Sequence, residues 1–236
     1  YEIRLSLVGS EMCIRDSEHF ERRSFDAVID VSPYKGSELL EVLCELGVPT
    51  VLCGQLEGHP YRDVFSTVYS DDEEGGRFAA LAMKERGRKD IVAVLGPQDN
   101  PAVVDRLRGY RAVLGEDLPD ANVIYTGWNN GDGYQAMHQI LAREIAFDGV
   151  LCGSDRIAAG VITALNEAGL SVPADISVVG FDDHEIATRC VPALTTVRQP
   201  LREEGHMAAN IALDMIKGAE PTTSVMHMQL IQRDSL

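Results

Sequence analysis

At 236 residues the chain is long enough for one large α/β domain or for two lobes that each bury a core. Its 37 acidic residues against 21 basic ones give a formal charge of −16, and such a surface repels phosphate backbones, so this chain by itself is expected to be a poor DNA binder. No apolar run approaches the length of a membrane span.

The opening YEIRLSLVGSEMCIRDS alternates at first like an edge strand, but no helical pattern follows, and the run is similar to translated adapter read-through. Residues 1–17 are therefore expected to be a non-native segment. Residues 18–23 read as the tail of a helix, 25–31 as a strand, 36–46 as a helix stopped by Gly47, and 48–53 and 65–69 as two more strands. The acidic turn 70–76 leads into a helix expected over 74–86, with Phe78, Leu81 and Ala82 on its inner face. Residues 91–95 (IVAVL) begin a new βα series, in which Asn100 caps a helix and Pro101 suits its first turn. Val103, Leu107, Tyr110 and Leu114 make that helix amphipathic. A strand at 122–125, a loop at 128–133 and a helix at 133–144, with Met137, Ile140 and Leu141 inward, come next.

The stretch from Asp148 to Pro200 organises the rest. GVLC (149–152) is a strand, Ser154 caps a helix carrying Ile157, Val161, Leu165 and Ala168 inward, Gly169 ends it and Pro173 prevents its resumption. Ile176, Val178 and Val179 form the next strand, and GFDD (180–183) is the loop at its carboxyl end, where open α/β sheets hold ligands. Two short polar turns complete the stretch. After Pro200 a last helix buries Ala208, Ile211, Ala212 and Met215, stops at Gly218, and leads to a closing strand near 226–232.

The run from GSD through VPADISVVGFDD to PALTTVRQP closely resembles the effector-binding domain of the LacI/GalR family of bacterial transcription regulators, and the resemblance extends from about Phe25 to Asp234. It implies an α/β, two-lobed, periplasmic-binding-protein-like fold of doubly wound parallel sheets. Residues 18–87 plus 201–227 would form an N-terminal lobe and 88–200 plus 228–236 a C-terminal lobe, with crossings near 87–89, 198–201 and 226–228. A complete member opens this domain with two more βα units, about 60 residues, after a helix-turn-helix and a hinge helix. The N-terminal lobe is accordingly expected to be incomplete, and operator DNA to be a partner only through a headpiece missing from this sequence. The resemblance further implies a cytoplasmic homodimer in which a small effector between the lobes biases DNA binding.

The resemblance also marks the ligand candidates. Arg106, in DRLRGY, would hold vicinal hydroxyls or a carboxylate with its forked donors, while Arg108 reads as a solvated neighbour. Asp182 can accept two sugar hydroxyls, and Asp183 reads better as a turn former. Trp128, the sole tryptophan, offers a flat apolar face to a pyranose or a purine, or else packs against its own loop. Ser154 and Asp155 stand where many members carry Asn-Asp, and the serine leaves ligand contact less well supplied. Glu74 borders the site or is a first-turn helix acid, and Gln199 is a hinge residue or a contact.

These residues point to a sugar or sugar derivative, with a purine as the lesser alternative. No metal, cofactor, membrane or catalytic role is expected: the five cysteines are scattered, as befits reduced thiols in a core, and GxSxG, HExxH, P-loop and post-strand GxGxxG motifs are not found. A transport-type periplasmic sugar-binding protein remains the alternative, opposed by the free cysteines, by the lack of a visible leader and by LTTVRQP.

Overall fold

In the computed structural model, residues 5–8, 25–31, 33, 37–55, 60–61, 63–143 and 145–236 are described. Chain order runs β1 (Leu5–Val8), β2 (Ala27–Asp30), α1 (Glu38–Glu45), β3 (Thr50–Cys53), β4 (Ser66–Ser70), α2 (Asp72–Glu85), β5 (Ile91–Leu95), α3 (Pro101–Leu114) and β6 (Val123–Tyr125). It continues with α4 (Asn130–Leu141), β7 (Gly149–Cys152), α5 (Asp155–Glu167), β8 (Ser177–Asp182), α6 (Glu185–Arg189), β9 (Thr195–Arg198), α7 (Leu201–Ile216), β10 (Thr223–Met226) and β11 (Gln229–Ile231).

Two units emerge, one running to Ser70 and resuming over Pro200–Met226, the other comprising Asp71–Gln199 and His227–Leu236. In the first, a parallel sheet has the order β1-β2-β3-β4-β10. A strand covered on both faces can be apolar throughout, and β2 is buried at every position. One face receives Leu40 and Leu43 of α1 against Val28, Leu52 and Phe65. The other receives Ala208, Ile211 and Ala212 of α7 against Ala27, Ile29, Val51 and Val68.

The second unit holds a sheet of order β11-β9-β8-β7-β5-β6, parallel except for β11. Side chains alternate across a strand, so Ile91, Ala93 and Leu95 of β5 face α2 and α3 while Val92 and Val94 face α4 and α5. Each helix pair crosses on glycines. A Cβ at Gly109 would lie 2.2 Å from the Glu73 carbonyl oxygen, and one at Gly160 would lie 2.0 Å from that of Asn130, so only glycine lets these backbones approach.

Several expectations are corrected. The first passage between units falls after Ser70, not at 87–89, because α2 packs on α3 and its glycines interlock with that helix. That helix begins earlier than expected, since the Asp71 carboxylate accepts the Glu74 amide at 2.8 Å and caps it. Its buried face is Ala79, Ala80, Ala82 and Met83, and Leu81 is exposed. A reciprocal capping box between Asn129 and Asp132 starts α4 inside the stretch read as a loop. Ala168 is the exposed C-cap of α5, and Gly169 takes the left-handed φ of +76° that ends the helix. Phe181 and Asp182 belong to β8, and the two polar turns are a short helix, α6, and a strand, β9. The single closing strand is two, β10 in the first sheet and β11 in the second. Leu5–Val8 takes the edge position that its alternation suggested; the rest of 1–17 and the helix tail at 18–23 lie outside the described residues.

Candidate functional site

The second sheet reverses its strand order between β5 and β7: from β5 the chain passes to β6 on one side, then returns to β7 on the other. Ligand crevices form at the carboxyl ends of strands flanking such a reversal. Here each strand is followed at once by a glycine, and a Cβ on Gly153 would come within 3.1 Å of the Gly96 nitrogen.

Arg106 reaches this place from α3. Its side chain is almost fully buried, with Nε donating to Asp72 Oδ1 at 2.7 Å and Nη1 donating to the Gly153 carbonyl at 2.5 Å. The guanidinium carbon lies 3.8 Å from the centroid of the Phe181 ring, a cation–π contact, and Nη1 is 3.7 Å from Asp182 Oδ1. Burial opposes the charge on Arg106, yet Asp72 and Asp182 outweigh it and raise the pKa. The two carboxyls shift upward because burial outweighs the favourable guanidinium beside them.

Asp182 is held by Gln199, whose Nε2 donates to Oδ1 at 2.5 Å. Its backbone has φ of +110° and that of Asp183 has +56°, both in the region that side chains seldom occupy, so the turn is strained. Asp183 is clamped by Arg198 at 2.7 Å and Arg233 at 2.5 Å. These guanidiniums, working against burial, hold its pKa down. It is a turn residue, as expected. Among the described residues, Nη2 of Arg106 and Oδ2 of Asp182 make no hydrogen bond to protein, which leaves a charged donor and a charged acceptor for a ligand.

Trp128 stands beside them. Half-buried, it packs against Gly96, where a Cβ would lie 2.5 Å from its ring. The ring also touches the apolar clusters on both faces of the sheet. The structure thus brings Arg106, Asp182, Gln199 and Trp128 to the carboxyl end of one sheet.

The other candidates have different work. Ser154 is buried and caps α5 by accepting the Ile157 amide at 3.2 Å. Asp155 is 0% exposed, with Oδ1 accepting from Thr196 Oγ1 at 2.6 Å and Oδ2 from the His184 amide at 2.7 Å. Each oxygen of Asp155 thus already has a protein donor. Glu74 accepts the Met228 amide at 3.1 Å and faces His227 at 3.2 Å, fastening the segment before β11 to α2. Arg108 is half-exposed and pairs with Asp105 and Glu73. Sequence reasoning missed Asp72, Phe181 and Thr196 as parts of this site. Asp72 lay within the recognised acidic turn and Phe181 within GFDD, but nothing local marked them as partners of Arg106.

The chain's likeness to known proteins follows the same lines. A model for a periplasmic binding protein-like domain matches residues 80–236. The chain is 35% identical over 215 residues to the HTH-type transcriptional regulator CelR of Thermobifida fusca, covering 89% of this chain and 63% of the relative. It is 37% identical over 184 residues to the HTH-type transcriptional repressor PurR of Escherichia fergusonii, covering 76% and 54%. The chain thus spans less than two thirds of either relative. Among solved structures, a transcriptional regulator CelR–cellobiose complex superposes with a TM-score of 0.88 at 33% identity, covering 94% of this chain and 69% of that one.

Proposed function

We infer the function from one premise: the chain belongs to the periplasmic binding protein-like domain family and is an effector-binding domain of the LacI/GalR type. On that premise the domain senses a small molecule for a transcription regulator whose DNA-reading part lies outside this sequence. The relatives are regulators, which favours this reading over transport and over catalysis. In keeping with it, we read the protein as a cytoplasmic homodimer.

The effector we propose is a sugar or sugar derivative. The observation that carries this is the open donor on Arg106 beside the open acceptor on Asp182, with the Trp128 ring nearby. Vicinal equatorial hydroxyls accept from a guanidinium and donate to a carboxylate, while the apolar face of a pyranose suits an indole. The relative solved with cellobiose supports the same class. A bound sugar shifts the regulator only by its difference in affinity between the two conformational states.

Isothermal titration of the chain with cellobiose, a pentose and a nucleobase tests the assignment. Saturable heat with a sugar, lost in Arg106→Ala and Asp182→Ala, is the expected result. Binding of the nucleobase alone would replace a sugar by a purine, and sugar binding unchanged in both variants would put the site elsewhere.

A further inference from the structure

Asp155 is buried at the first position of α5, yet its hydrogen bonds reach two other elements. Thr196 lies on β9, and His184 precedes α6. The Thr196 hydroxyl also accepts the Asp183 amide at 3.3 Å, so a continuous line runs from Asp183 N–H through Thr196 O–H to the carboxylate. Asp183 and His184 directly follow Asp182 in the strained turn. Space is closed as well, since a Cβ on Gly180 would lie 2.3 Å from Asp155 Oδ1.

We propose that Asp155 is a positioning residue for the effector site: through Thr196 and the His184 amide its carboxylate holds the turn that presents Asp182, so effector affinity rises as Asp155 ionises. The proposal rests on the effector-binding reading above. Hydrogen bonds to an ionised acceptor are about twice as strong as neutral ones. Protonation weakens the bond from His184 and places a proton on Oδ1 that competes with the Thr196 hydroxyl for the same line. The hydroxyl must then turn away from its acceptor.

The groups facing Asp155 favour titration near neutrality. Asp182 and Asp183 approach from β8 and its turn, His184 from the start of α6, Cys152 from β7 and Cys190 from the end of α6. Among the described residues no lysine or arginine pairs with it; Arg106 is spent on Asp72 and Asp182, and Arg198 and Arg233 on Asp183. Burial first, then the two aspartates, push its pKa up to about 7 against the opposing hydrogen bonds.

The experiment pairs two readouts on the whole chain. Amide-exchange protection factors at Asp183 and His184 are compared at about pH 6 and about pH 8, and cellobiose affinity is titrated over the same interval. For a proton lost near pH 7, affinity should fall on the order of tenfold from the upper pH to the lower. Protection of His184 should fall with it. Asp155→Asn should show low protection and weak binding at both values, because the amide imitates the protonated acid. Thr196→Val should weaken both readouts while Thr196→Ser, which keeps the hydroxyl, restores them, and this pair decides the matter if Asp155→Asn does not fold. Equal protection in the parent at both pH values, or a pH profile unchanged by Asp155→Asn, would overturn the proposal. If protection behaves as stated but no sugar binds, the relay stands and the sugar-effector reading fails.

Discussion

Replacing Gly109 by alanine sets two effects against each other. In a helix interior this change is worth about 1 kcal/mol in favour of folding, because alanine surrenders less backbone freedom. Here the new Cβ would lie 2.2 Å from the Glu73 carbonyl oxygen and 2.8 Å from the Arg77 nitrogen. Both are backbone atoms of α2, so the clash cannot be relieved by a rotamer change, and the helices must part. Overpacking of this kind costs about 1 to 3 kcal/mol. With contact so close the upper end applies, and the net loss should be about 2 kcal/mol. The displacement also strikes the candidate ligand site: Arg106 lies one turn earlier on α3, and its carbonyl would be 2.4 Å from a Cβ at Gly76. Urea unfolding followed through the fluorescence of Trp128 reports the second unit directly. Gly205→Ala is the internal control, since α7 leaves nothing within 4 Å of a new Cβ there, and the first unit should gain about 0.5 to 1 kcal/mol by circular dichroism. A Gly109→Ala protein that unfolds at the same or higher urea than the parent would refute the close-crossing argument.

Arg106→Ala should weaken binding of the proposed sugar effector by about 2 to 5 kcal/mol, measured by titration calorimetry, because the partly buried Asp72 and Asp182 are left without their cation. Asp155→Asn should alter how stability depends on pH. The acid binds its proton more tightly folded than unfolded, so its stabilising contribution is complete below the ordinary value of 3.8 and is lost as pH rises through about 7. The interval amounts to on the order of 4 kcal/mol, and the variant should be the more stable protein under alkaline conditions in urea titrations, with the difference vanishing towards the acid end. Gly96→Ala would place a Cβ 2.5 Å from the Trp128 ring, and should shift the emission maximum and weaken sugar binding together; an unchanged spectrum would contradict the packing.

Local chemistry made much of this molecule legible. Asn100 followed by Pro101, Ser154 ahead of an apolar periodicity, and Gly169 behind it each act within a few residues, and all three stand where their chemistry indicates. What stayed hidden depends on partners far along the chain. Nothing around Asp155 reveals Thr196, 41 residues later, so a carboxylate that braces the site reads like one that lines it. Helix α2 follows β4 directly and looks like its partner, but Gly76 and Gly109 lock it to α3. The start of α4 was written in Asn129 and Asp132, whose polar character suggested a loop. Arg106 and Trp128 were recognised through family resemblance and Asp182 from its place at a strand end; hydrogen bonding then tied Arg106 to Asp72 and Gly153, and Asp155 to Thr196 and His184.

The passages of the chain between units also bear on its synthesis. Each sheet receives its last strand from the final stretch, β10 over Thr223–Met226 beside β4 and β11 over Gln229–Ile231 beside β9. While the ribosome is still making α7, both β4 and β9 are unclosed edges with unpaired amides and carbonyls, and such edges recruit strands from other chains. Synthesis therefore completes the two sheets nearly together, with β10 and β11 replacing β4 and β9 as terminal strands. A nascent chain stalled in α7 should be held by chaperones far longer than one released after β11.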